Sequence, residues 1–153
     1  MDNSQFFFFL ALDALSGNLK EAFLGEEDTD VVIKVGDQEY KAHKIILRSR
    51  SPIFNAMLKR DATEKNQEVI TISDCDQCSF REFLLYLYTG KVDNLSKGNV
   101  LDLCYMSDKY AIEELKQHCV AFILDNLDID MVCDITLAKQ HVDCEVLKHA
   151  AQF

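Results

Sequence analysis

One proline and five glycines in 153 residues leave no stretch with the composition of a long flexible linker or a disordered tail. Basic side chains are scarce too: 16 Lys and Arg against 26 Asp and Glu give a formal charge of -10. They form no cluster, and a chain of this sign repels polyanions at long range, which argues against nucleic acid and acidic lipid as partners. Long apolar runs are missing as well. The run from Phe6 to Leu12 is too short to span a bilayer, Asp2 stands where a signal peptide needs a basic flank, and Asp13 interrupts it. Residues 1–15 are therefore read as an N-terminal apolar segment that is buried or faces a partner. With no export signal, the chain is expected in the reducing cytosol or the nucleus, and its six cysteines are expected as thiols. Nothing resembles a phosphate loop, a nucleophile elbow or a carboxylate dyad set in a pocket pattern, so no catalytic residue, enzyme activity or cofactor is assigned.

What is present suits a single domain with a proper core. Apolar residues make up 48% of the chain, and a domain of this size buries roughly 68–70% of its unfolded surface. The clearest local signal is Asp30 to Lys44. Val31, Ile33 and Val35 alternate to one face, Gly36-Asp37 supplies the positive φ of a two-residue turn, and Tyr40 and Ala42 continue the inward face. Lys44–Arg48 reads as a short helix. Ser51-Pro52 then opens another, a hydroxyl cap followed by the ring that prefers the first helical position, with Ile53, Phe54, Met57 and Leu58 on one face.

Residues 59–67 carry no apolar period and read as an exposed loop, followed by a strand at Val69–Ile72. In the next helix Phe80, Phe83, Leu84, Leu87 and Tyr88 recur at helical spacing. Ser79 is its expected cap, Glu82 completes a capping box, and Gly90 is its end. Asn94–Asn99 is a polar connection. Helices are expected at Val100–Lys109, at Ala111–Asn126, from Met131 to about Gln140 with Asp128 or Asp130 as cap, and at Cys144–Phe153. Strands come early and helices dominate later, giving an α+β class: a small N-terminal sheet, a mostly helical cluster and an appended helical pair.

The hairpin running into Ala42-His-Lys44, then Arg50-Ser-Pro52, Phe54 and Ala56-Met57, resembles the opening of the BTB/POZ domain. Tyr88-Thr-Gly-Lys91, Asn94-Leu95 and Asp108-Lys-Tyr-Ala111 match at the expected separation. The nearest group by these motifs is the speckle-type POZ family of cullin-3 adaptors. On this resemblance residues 16–126 form the BTB/POZ domain, and residues 127–153 a helical extension like that family's 3-box.

The resemblance implies a homodimer whose contacts fall at Leu15, Leu19, Ala22 and Ile46, with Phe23 adjacent on the same apolar stripe. It also implies a second surface, for the N-terminal domain of cullin-3, at Leu58, Ala62, Glu64, Asp108 and Tyr110. The family carries a bulky apolar residue where Ala62 stands, and it keeps the glutamate at Glu64. A buried Met or Leu contributes roughly 1.5–3 kcal/mol, so the smaller side chain weakens that contact. Tyr110 can equally be a core residue at a helix junction. The implied function is a protein–protein interaction adaptor in which a BTB homodimer recruits cullin-3 for substrate ubiquitination, with no metal or cofactor. Its alternative is an oligomerisation module that binds no cullin, acting in corepressor recruitment through Asp30 and Lys44 or by heterodimerising with full-length adaptors. The family's substrate-binding MATH domain has no counterpart in these residues, so a fragment and a heterodimerising partner are both expected possibilities.

Two constellations tempt without holding. Cys75 and Cys78 have metal-ligand spacing, and His141 and Cys144 supply a second pair. The pairs lie far apart in sequence and nothing brings them together, so no metal site is assigned. Cys104 and Cys119 fall on apolar helix faces, where a thiol behaves as a small hydrophobe. His43 near Asp30 could suggest catalysis, but the resemblance gives both structural roles.

Overall fold

A computed structural model describes residues 2–58 and 68–137 of the protein. The loop expected at 59–67 and the helix expected at Cys144–Phe153 lie outside the described residues. The element order is α1 (Asn3–Gly25), β1 (Val31–Val35), β2 (Gln38–Ala42), α2 (Lys44–Arg50), α3 (Pro52–Met57), β3 (Glu68–Ile72), α4 (Gln77–Thr89), α5 (Val100–Lys109), α6 (Glu113–Asp125) and α7 (Ile129–Leu137). The class is α+β, as the sequence pattern indicates.

The sheet has strand order β2-β1-β3. β1 pairs antiparallel with β2, Val31 opposite Ala42, and parallel with β3, Val31 opposite Glu68. Central β1 is therefore covered on both faces: Val32, which alternation puts on the face opposite Val31, Ile33 and Val35, is buried as well. Gly36 turns the hairpin at φ 56°, and a Cβ there would collide with the Gln77 side chain.

α4 is the central helix, with every residue from Glu82 to Tyr88 buried. A helix that is apolar nearly all round must be covered on all sides. α1, α2 and α5 pack against it. Phe54 of α3 and Tyr110 stack face to face, centroids 4.4 Å apart, and Phe83 of α4 meets the same tyrosine at 5.3 Å.

Several helix ends differ from expectation. Asp76, not Ser79, caps α4, its Oδ2 accepting from Ser79 N at 3.0 Å. A carboxylate suits a helix N-terminus on both hydrogen-bonding and dipole grounds. Ser79 then lies inside the helix and donates to Asp102 Oδ2 of α5 at 3.0 Å. Glu82 consequently completes no capping box. It is buried, and its Oε1 accepts from Asn94 Nδ2 at 3.2 Å. α6 begins at Glu113 because Ala111 adopts the left-handed conformation, φ 56°, and Ile112 N donates back to Ser107 O. α1 runs unbroken across the boundary drawn at residue 16. Asp128 accepts from Met131 N at 2.9 Å at the start of α7.

Candidate interaction surfaces

Ser51 joins two helices and the buried tyrosine. Its Oγ accepts from Phe54 N at 3.2 Å, capping α3, and donates to Tyr110 O at 2.7 Å. His43 is a second junction, between the hairpin, the end of α1 and α4. Tyr88 Oη accepts from His43 N at 2.8 Å and lies 2.7 Å from His43 Nδ1, while His43 Nε2 lies 2.7 Å from Glu27 O. Only an Nε2–H can satisfy the Glu27 carbonyl, so in the neutral ring Nδ1 accepts the tyrosine proton. Burial pushes the Tyr88 hydroxyl up to about 12, which keeps it protonated for that role. The His43 and Tyr88-Thr-Gly motifs thus meet in space as a structural clasp.

The same clasp seats α1. Ser16 Oγ donates to Thr89 O at 3.0 Å, Lys20 pairs with Asp93 at 2.8 Å, and Asp13 pairs with Lys91. Lys91 holds the Asp13 carboxyl below its usual value through a hydrogen bond and its charge. Thr89 Oγ1 accepts from Lys91 N and donates to Leu85 O, and Gly90 at φ 70° closes α4. The turn after α4 is therefore a fixed shelf under α1.

Above that shelf lies an open apolar groove of about 730 Å³. Its walls include Leu15, Leu19 and Ile46 together with Phe6, Phe9 and Leu10. Leu15 is 55% exposed, while Leu19, Ala22 and Ile46 are half-buried. Phe23 does not share this surface: only 7% exposed, it packs its ring 4.9 Å from Tyr88. Its place one residue beyond Ala22 turns it from the stripe into the core. Helical spacing reached Leu15, Leu19 and Ala22 but passed over Phe6, Phe9 and Leu10. Their positions at i, i+3 and i+4, continued by Asp13 and Ser16, were the available signal.

The second predicted surface is only partly visible. Ala62 and Glu64 lie outside the described residues. Leu58 and Tyr110 are buried, at 4% and 2% exposure, so their side chains support this region from within instead of forming its surface. The reason is the α3 face itself: Phe54 and Leu58 turn inward, leaving Ile53 and Met57 at 39% and 42% exposure. Asp108 is exposed and accepts from Lys116 Nζ at 2.5 Å. Burial raises the Tyr110 hydroxyl well above its ordinary range.

Asp30 and Lys44 do not form a side-chain pair within the protomer. Asp30 Oδ1 accepts from the Lys44 backbone N at 2.7 Å, at the start of α2, while the Lys44 ammonium lies 3.0 Å from Glu68 on β3. Asp74, between β3 and α4, accepts from Tyr105 Oη at 2.5 Å and from Lys109 Nζ, tying that loop to α5. Among the described residues no group of His, Cys, Asp and Glu side chains is arranged to hold a metal ion, and no helix is long and apolar enough to cross a membrane.

A small sheet capped by a helical cluster, with an exposed apolar helix face, defines a protein–protein interaction module. The family model of the BTB/POZ domain matches residues 19–127, and the chain belongs to that family. The BTB domain of zebrafish PATZ1 is similar in fold, with a TM-score of 0.60 and 22% identity over 76% of this chain and 90% of that one.

Proposed function

We propose that the protein is a self-associating BTB adaptor, and that the α1–α2 face is where two copies meet. The observation carrying this reading is the apolar groove shared by Leu15, Leu19 and Ile46, with part-buried Ala22 following at helical spacing, which a lone protomer leaves wholly or partly open to water. An isologous contact repeats one patch on both partners and so covers it twice over. The mechanism is positional: pairing doubles the valency for whatever the rest of each chain engages.

The finer reading is a cullin-3 adaptor, with the N-terminal domain of cullin-3 docking at the outer face of α3. Ile53 and Met57 supply exposed apolar side chains shortly before Ala62 and Glu64 in the sequence, and Asp108 supplies charge. A helix at Ile129–Leu137, immediately after the family-matched region, supports a 3-box-like extension. Such an adaptor works in the cytosol or nucleus. The competing reading, an oligomerisation module that binds no cullin, draws on the small side chain of Ala62.

Calorimetric titration of the full chain against the cullin-3 N-terminal domain separates them, with Ala62→Met and Met57→Asp alongside. The adaptor reading expects measurable binding, tightened about tenfold by Ala62→Met and abolished by Met57→Asp. Absence of heat with the parent and with Ala62→Met would leave only the oligomerisation module.

A further inference from the structure

Residues 3–12 of α1 contain no charged side chain, although the chain as a whole carries -10. Phe6, Phe7, Phe8, Phe9, Leu10 and Leu12 are 45–67% exposed. Among the described residues, the hydrogen bonds and ion pairs that fasten α1 to the domain body begin at Asp13. The first ten residues of the helix are thus an arm that runs past its last polar anchor. The arm also precedes the family-matched region, which starts at residue 19.

This arm is apolar around its circumference. Phe6, Phe9 and Leu10 face the groove, while Phe7 and Phe8, at 67% and 62% exposure, are not part of its walls. Contact along one face of α1 would therefore leave apolar rings in water on the other. Taking about 150–250 Å² for an aromatic side chain, the exposed arm with Leu15 amounts to roughly 700 Å². Each partner in a standard-sized complex contributes about 800 Å².

We infer that the arm of each copy lies in the apolar groove of a second copy, making residues 6–12 part of the surface that selects its twin. Three observations fix that occupant. The arm lines the same groove as Leu15, Leu19 and Ile46, so it continues the proposed dimer face without a break. Two acidic chains repel, and the uncharged arm is a place where they approach without opposing like charges. Helices that lie on a bilayer surface are rich in Lys and Arg on their polar face, whereas the first basic residue here is Lys20.

The inference rests on the dimer reading, and one set of measurements tells the two apart. Sedimentation velocity over a concentration series compares the full chain with Leu15→Asp and with a Phe6→Ser, Phe9→Ser, Leu10→Ser variant. A photo-reactive phenylalanine analogue at position 9, in a mixture of tagged and untagged copies, maps the contact. The arm variant should dissociate about tenfold or more readily while still unfolding in a single cooperative transition, its melting temperature falling only by the lost association, because no core residue changes. The crosslink should join copies and fall within residues 46–50 or 87–91. A monomeric parent overturns both readings. A dimer unchanged by the arm variant overturns only the arm, as does co-sedimentation of the parent but not that variant with phosphatidylcholine vesicles.

Discussion

Single polar atoms hold the junctions of this domain, and their removal should be measurable. Ser51 Oγ both caps α3 and satisfies the buried Tyr110 carbonyl, so Ser51→Ala leaves a donor and an acceptor without partners. A loss of about 1–3 kcal/mol in urea unfolding is expected, and no change would contradict the role. Ala111, at φ 56°, occupies a conformation that costs an L-residue about 1–2 kcal/mol. Ala111→Gly should therefore stabilise the fold slightly despite its entropy, by up to about 1 kcal/mol. Alkaline pH offers a third check. Burial raises Tyr88 to about 12 and Cys119 to about 12, so both groups hold protons in the folded state that the unfolded chain releases. Their contribution is complete below the unfolded values, near 9 for the thiol and 10 for the phenol, and is lost as pH rises towards 12. Urea midpoints should fall steadily across that window; a flat profile would contradict the burial.

At the level of elements, the legible parts were those where local chemistry and tertiary packing agree. The hairpin turned at Gly36, the Ser51-Pro52 cap and the periodic run from Phe80 to Tyr88 all follow from backbone preference plus one buried face. What escaped was decided by competition between neighbours. Asp76 takes the cap in place of Ser79, and Ala111, at φ 56° between buried Tyr110 and Ile112, stands outside the helix. On α1 the apolar stripe of Leu15, Leu19 and Ala22 was legible by spacing, whereas the adjacent Phe23 turns inward and packs its ring on Tyr88. On α3 one apolar face split in two, sending Leu58 into the core and leaving Met57 outside, which no period of 3.6 distinguishes when four apolar residues are crowded together. Cysteine reactivity follows the same division. Cys78 and Cys133 are exposed and should react quickly with a thiol reagent at pH 8, while buried Cys104 and Cys119 should react only on unfolding.

For the whole molecule, the domain couples a well-packed centre to an apolar flank. The core of α4 is closed on all sides within one protomer, whereas α1 leaves its N-terminal half and the groove beside it uncovered. The chain carries a net charge of -10, yet these exposed rings form an apolar patch of the kind that marks interaction sites, and the proposed self-association would remove them from water. Self-association does this with no second component. Sedimentation equilibrium of the parent and Leu15→Asp at matched concentrations tests that claim most directly. The account predicts a dimer for the parent and a folded monomer for the variant; a parent that stays monomeric across the concentration range would contradict it.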